Sequence, residues 1–90
     1  MKSTHRKTLK LIFDKTVPSS LKWKRIEALF LALGGKTIEG RGSRVRFELN
    51  GVVATFHRPH PHDEAKPYQV RDARKFLEQA EVEDNEDHEV

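Results

Sequence analysis

Ninety residues allow one domain around a single small core, and in a chain that is 36% hydrophobic and 34% charged no apolar run approaches the roughly 20 residues of a membrane span. Zero cysteines exclude disulfides, thiol catalysis and thiolate zinc sites. The net charge of +3 averages two unlike parts: residues 1–75 hold all 17 Lys and Arg against 7 acids, net +10, whereas residues 76–90 hold 7 acids and no base. The basic N-terminus is not followed by the apolar stretch of a secretory signal, so the expected location is cytoplasmic.

The first segment, residues 3–14, carries Leu9, Ile12 and Phe13 at helical spacing among His5, Arg6, Lys7 and Lys10, with Ser3 placed to cap it. A short basic helix is predicted. Pro18, Ser19 and Ser20 interrupt it, since proline disfavours a helical residue before it and serines compete for backbone hydrogen bonds. From Leu21 to Leu33 the residues Trp23, Ile26, Leu29, Phe30 and Leu33 recur at three and four. This is the stripe of an amphipathic helix, and Gly34-Gly35 supply a left-handed stop. Trp23 and Phe30 therefore belong to the core.

Lys36 to Glu39 reads as a weak first strand, followed by the turn Gly40-Arg41-Gly42-Ser43. Arg44 to Leu49 then alternates strictly, Asn50-Gly51 is the favoured type I′ pair, and Val52 to Phe56 returns as a third strand. A two-residue loop fixes the register. Leu49 faces Val52, Phe47 faces Ala54 and Val45 faces Phe56 on an apolar side, while Glu48 with Val53, Arg46 with Thr55 and Arg44 with His57 form a mainly basic outer side.

The run His57-Arg58-Pro59-His60-Pro61-His62 is too rich in proline for regular structure. Pro67 suits the first position of a helix, and Val70, Ala73, Phe76, Leu77 and Ala80 give that helix an apolar face. Residues 81–90 are acidic, lack aromatics and are expected to be a disordered or interacting tail. The order of helix, helix, three antiparallel strands and helix makes an α+β domain with helices on one face of a small sheet.

Two sets of residues can carry chemistry. Histidine titrates near neutrality, so an imidazole from His57 or His60 can take a proton from a ribose 2′-OH or give one to a departing 5′-oxygen. Arg44, Arg46 and Arg58 would offset charge building on the phosphorane oxygens. The bland alternative is a solvated, proline-stiffened loop. Metal binding by His57, His60 and His62 is a further reading, disfavoured because structural zinc commonly takes four ligands with cysteines among them and catalytic zinc a preformed cage. The second set, Lys22, Lys24, Arg25, Lys36, Arg41, Arg44, Arg46 and Arg58, is the electrostatic footprint of a polyanion-binding protein. Gly40, Gly42 and Ser43 resemble a phosphate-holding turn only weakly, because they join two strands instead of opening a helix.

Ser20 to Trp23 with the helix to Leu33, Gly34-Gly35, Gly42-Ser43-Arg44-Val45, Asn50-Gly51, the run Phe56 to Pro61 and Phe76-Leu77 together resemble the HicA family of bacterial toxins, over residues 4–82. The resemblance implies a fold like the double-stranded RNA-binding domain, α-β-β-β-α, here with an extra N-terminal helix. It also implies a ribosome-independent mRNA endoribonuclease that arrests translation and growth and is held inactive by a HicB antitoxin. Many members have Gly-Ser-His at the glycine turn, with that histidine regarded as catalytic. Here the position is Arg44, which cannot act as a base at neutral pH. The hairpin register sets His57 across from it. A second departure is Ala80-Glu81-Val82 where the family often has Ala-Gly, so the last helix is expected to run further.

The expected organisation is one domain over residues 1–80, with the N-terminal helix at 3–14, a core at 20–80, and the acidic tail at 81–90. The expected function is mRNA cleavage without metal or cofactor, with His57 and His60 catalytic and Lys22, Lys24, Arg41, Ser43, Arg44, Arg46 and Arg58 binding RNA. mRNA and a HicB-like antitoxin are the expected partners, with no membrane and no small-molecule substrate. The rival is a non-catalytic RNA- or partner-binding module of the same fold.

Overall fold

Asn50 and Gly51 take φ of 52° and 82°, the left-handed pair that lets two strands reverse in two residues. In the computed structural model, which describes residues 1–16 and 20–83, that turn joins β2 (Arg44–Leu49) to β3 (Val52–His57). The register runs from Leu49 opposite Val52 to Arg44 opposite His57, as the turn dictates. β1 (Lys36–Glu39) pairs antiparallel on the other side of β2, giving the order β1-β2-β3. Among the described residues three helices accompany the sheet: α1 (Ser3–Phe13), α2 (Trp23–Ala32) and α3 (Pro67–Gln79). The fold is α+β, and from α2 onward it has the α-β-β-β-α order.

The inner side of the sheet carries Val45, Phe47, Leu49 and Phe56, all buried against Trp23, Ile26, Leu29 and Phe30 of α2 and Val70, Ala73, Phe76 and Leu77 of α3. Phe30 sits at the centre, with ring centroids 5.0, 5.8 and 5.1 Å from Phe47, Phe56 and Phe76. Such tilted and edge contacts add to area burial, and truncating a ring at this position costs about 3–5 kcal/mol.

α2 and α3 end in the same way. Gly34 takes φ 95° while Gly35 N–H donates to Phe30 O (2.9 Å) and Gly34 N–H to Leu31 O (3.0 Å), the two bonds of a Schellman cap. At α3, Val82 N–H donates to Leu77 O (2.8 Å) and Glu81 N–H to Glu78 O (3.0 Å), with Glu81 at φ 63°. The expected extension of α3 is therefore overturned, because Glu81 adopts the left-handed turn that glycine ordinarily takes. Val82, assigned above to the tail, packs half-buried on the core. The rest of that predicted tail, 84–90, lies outside the described residues.

α1 packs on α2 and α3. It buries Thr8, Leu9 and Ile12. Its end is held by Arg74 of α3, whose Nε donates to Ile12 O (2.7 Å) and Nη2 to Asp14 O (2.6 Å). Its start departs from expectation, since Lys2 and not Ser3 occupies the cap position and makes no side-chain cap bond. α2 also begins two residues later than its stripe suggests, because Lys22 forms an isolated antiparallel bridge with Glu64 and Ala65 N–H donates to Leu21 O (2.8 Å). No helix among the described residues is long and apolar enough to cross a membrane.

Candidate functional site

Strand alternation decides which side chains meet. Arg44, Arg46, Thr55 and His57 are all exposed on the outer side of the sheet, away from the helices. Arg44 and His57 are direct register partners, so their Cβ atoms stand about 5 Å apart. The β1–β2 turn rises beside them. Arg44 N–H donates to Arg41 O and Gly40 N–H to Arg44 O, each at 3.0 Å. A Cβ on Gly40 would lie 2.9 Å from Arg44 O, so only glycine lets the turn close this tightly. Between the turn and β3 lies an open concavity of about 400 Å³ lined by Gly40, Arg41, Arg44, Arg46 and Thr55.

Arg58 stands apart from these arginines. It follows Phe56 by two positions and so shares the inner side, where its Nε donates to Glu27 Oε2 of α2 (2.7 Å) and its Nη1 to Glu39 Oε1 of β1 (2.9 Å). Nη2 adds bonds to both carboxylates, at 3.3 Å to Glu27 Oε1 and 3.1 Å to Glu39 Oε2. The Trp23 indole N–H also donates to Glu27 Oε2. These bonds hold the Glu39 carboxyl below its ordinary value, the hydrogen bond from Arg58 being the main cause, and raise Arg58 through Glu39 first and Glu27 second. The backbone N–H of Arg58 donates to Ser43 O at 2.8 Å. One residue thus fastens α2, β1 and the glycine turn at the place where His57 leaves the sheet.

The segment after His57 is tied down at its far end by Trp23 N–H to Asp63 O (2.7 Å), and buried Gln69 bridges the two ends. Its Nε2 donates to His57 O while its Oε1 accepts from Lys66 N–H (2.9 Å). His60 and His62 are exposed within this segment, and the His60-Pro61 peptide bond is cis. Among the described residues no group of three or more His, Asp or Glu side chains is placed to hold a metal ion.

Of the residues expected from sequence, Arg44, Arg46 and His57 share the outer face of the sheet, Arg41 joins the two arginines at the concavity from the turn, and His60 stays in the exposed loop. Lys22 and Lys24 are exposed at the start of α2, on the helix layer, and Ser43 is exposed in the turn, with none of the three lining the concavity. Gln69, Glu27 and Glu39 are parts of the site that local sequence signals do not indicate, and Arg58, expected to bind RNA, is paired with those two carboxylates. The parity of Arg58 with Phe56 was the available signal.

The family model of the HicA toxin of bacterial toxin–antitoxin matches residues 23–82, from the first residue of α2 through the cap of α3. No curated protein and no solved structure matches the chain. The matched region is two thirds of the chain and contains the whole sheet, the arginine concavity and the histidine segment, with α1 lying outside it. The chain belongs to the HicA toxin family, the toxins of bacterial toxin–antitoxin systems.

Proposed function

We propose that this toxin binds mRNA on the outer side of its sheet in the cytoplasm and cleaves it without metal or cofactor, so inhibiting translation and growth, and that a HicB-like antitoxin neutralises it. The observation that carries the reading is the pairing of Arg44 with His57 beside the arginine concavity in a chain of this family. Arg44 contacts the scissile phosphate in place of the histidine that the family pattern has there. His57, or His60 from the loop, accepts the ribose 2′-OH proton as that oxygen attacks phosphorus. The bond to the 5′-oxygen breaks, the departing oxygen takes up a proton, and a 2′,3′-cyclic phosphate remains. Arg41 and Arg46 hold neighbouring phosphates and offset charge on the phosphorane oxygens, with Lys22, Lys24 and Ser43 as outlying RNA contacts. Arg58 serves this site by holding its frame.

The antitoxin would satisfy the sheet arginines with acidic groups and bury the histidine segment, since charge complementarity directs such docking. A second reading is favoured by one observation, the arginine at position 44: the chain binds RNA or a partner and does not cut. Incubating purified protein with mRNA in excess EDTA separates the two. Cleavage that persists in EDTA and is lost in His57→Ala or His60→Ala supports the nuclease. Salt-sensitive binding without cleavage supports the binding module, and cleavage that survives both substitutions removes the histidine mechanism.

A further inference from the structure

The arrangement of the outer sheet face bears on which part of an RNA it recognises. Arg41, Arg44 and Arg46 all line the same concavity of about 400 Å³, a volume at the small-ligand end of the range for binding pockets. Among the described residues no ion pair engages any of the three, in contrast to Arg58 with its two carboxylates. Arg44 and Arg46 lie two residues apart on one strand, hence about 6.7 Å along it, a distance comparable with that between neighbouring phosphates of a polynucleotide. Thr55, opposite Arg46, adds a hydroxyl.

Among the described residues the ring beside them is the His57 imidazole, the strand partner of Arg44, which the proposed mechanism commits to proton transfer. Trp23, Phe30, Phe47, Phe56 and Phe76 are buried in the core, and the remaining aromatics, Phe13 and Tyr68, belong to α1 and α3. Proteins that grip unpaired bases stack them on aromatic side chains, and sequence is read at base edges, whereas phosphate contacts carry no sequence information. We infer that the concavity formed by Arg41, Arg44, Arg46 and Thr55 is a seat for the phosphate backbone of single-stranded RNA, which it grips without reading base identity. This deepens the proposed function and rests on it for the identity of the polymer.

The test uses the full chain and labelled 2′-O-methyl decamers of U, A or C, which lack the 2′-OH nucleophile and so report binding independently of cleavage. Three phosphate contacts on a single strand give a slope of about −2 in log K against log salt. The three decamers are expected to bind within tenfold of one another. Arg41→Gln, Arg44→Gln and Arg46→Gln should each bring the slope about 0.7 closer to zero, and Arg71→Gln on the exposed side of α3 should leave it unchanged. A preference among the decamers of tenfold or more, a slope indifferent to the three sheet substitutions, or tighter binding of a blunt 2′-O-methyl duplex would overturn the seat. Binding as expected by a protein that never cuts unmodified mRNA would overturn the nuclease reading and leave the seat standing.

Discussion

Arg44 and His57 are register partners at the open end of the β2–β3 hairpin, both exposed on the side of the sheet away from the helices. If the imidazole has moved across the hairpin from the position the family pattern gives it, the two substitutions separate in kinetics. His57→Ala should lower the cleavage rate by about 100-fold or more while leaving the affinity for a non-cleavable RNA within threefold. Arg44→Gln should weaken affinity as well. The double variant His57→Ala with Arg44→His returns an imidazole to the opposite strand and should recover part of the lost rate. A double variant as inactive as His57→Ala alone would argue against cross-strand replacement.

A pH dependence follows from the Arg58 cluster. The Glu39 carboxyl is lowered in the folded protein by its bond to Arg58, so the unfolded chain binds its proton at higher pH than the folded one. The stabilisation is complete above the ordinary glutamate range and is lost as pH falls through the lowered folded value. Thermal melts of the wild type and Glu39→Gln should converge as pH drops below that range and separate at neutral pH. Parallel curves across the range would show that the ion pair contributes nothing. Arg58→Ala removes bonds to two carboxylates in a partly solvent-screened setting and should cost about 1 kcal/mol at neutral pH.

Glu81 stands at the end of α3 where Gly34 stands at the end of α2, each with positive φ inside a Schellman cap. A side chain in that conformation costs about 1–2 kcal/mol, and a carboxylate at a helix C-terminus is also disfavoured by the dipole. Glu81→Gly should therefore raise stability by about 1 kcal/mol, which is about 4–8 °C in Tm for a domain of this size. Glu81→Ala, which keeps the Cβ, should gain much less. Equal gains from both would assign the effect to charge alone.

Local sequence rules reached most of the scaffold because each rests on short-range physics. Asn50-Gly51 admits one loop length, so every pair from Leu49 with Val52 to Arg44 with His57 follows from it. The stripe through Trp23, Ile26, Phe30 and Leu33 likewise leaves one helical face to bury. Position 81 departs from its local signal: the absence of glycine suggests a longer helix, whereas Glu81 takes the left-handed turn and Val82 after it packs on the core. Charge alone groups Arg58 with Arg44 and Arg46, whereas its parity with Phe56 turns it to the inner side. Its partners Glu27 and Glu39 lie 31 and 19 residues away, a separation that no local rule spans.

Arg74 is expected to govern how firmly α1 is attached. Arg74→Met keeps the aliphatic stem and removes the donors to Ile12 O and Asp14 O. The loss should be about 1 kcal/mol, since one of the two bonds is exposed to water. Amide exchange in the second half of α1 should quicken more than exchange in β2. Uniform quickening would show that α1 opens only when the whole domain unfolds.

The same two bonds constrain the order in which the molecule is completed. Position 74 is 62 and 60 residues downstream of the carbonyls it holds, so on the ribosome α1 waits for about sixty further residues before its end is secured. Synthesis proceeds at about 5–20 residues per second, which puts that wait at several seconds. During it α1, with its apolar residues Leu9 and Ile12, lacks one of the two helices it packs against. A nascent toxin would therefore present an unfinished apolar flank until α3 has been made, and chains truncated before α3 would keep that flank permanently, which marks them for capture by chaperones or proteases.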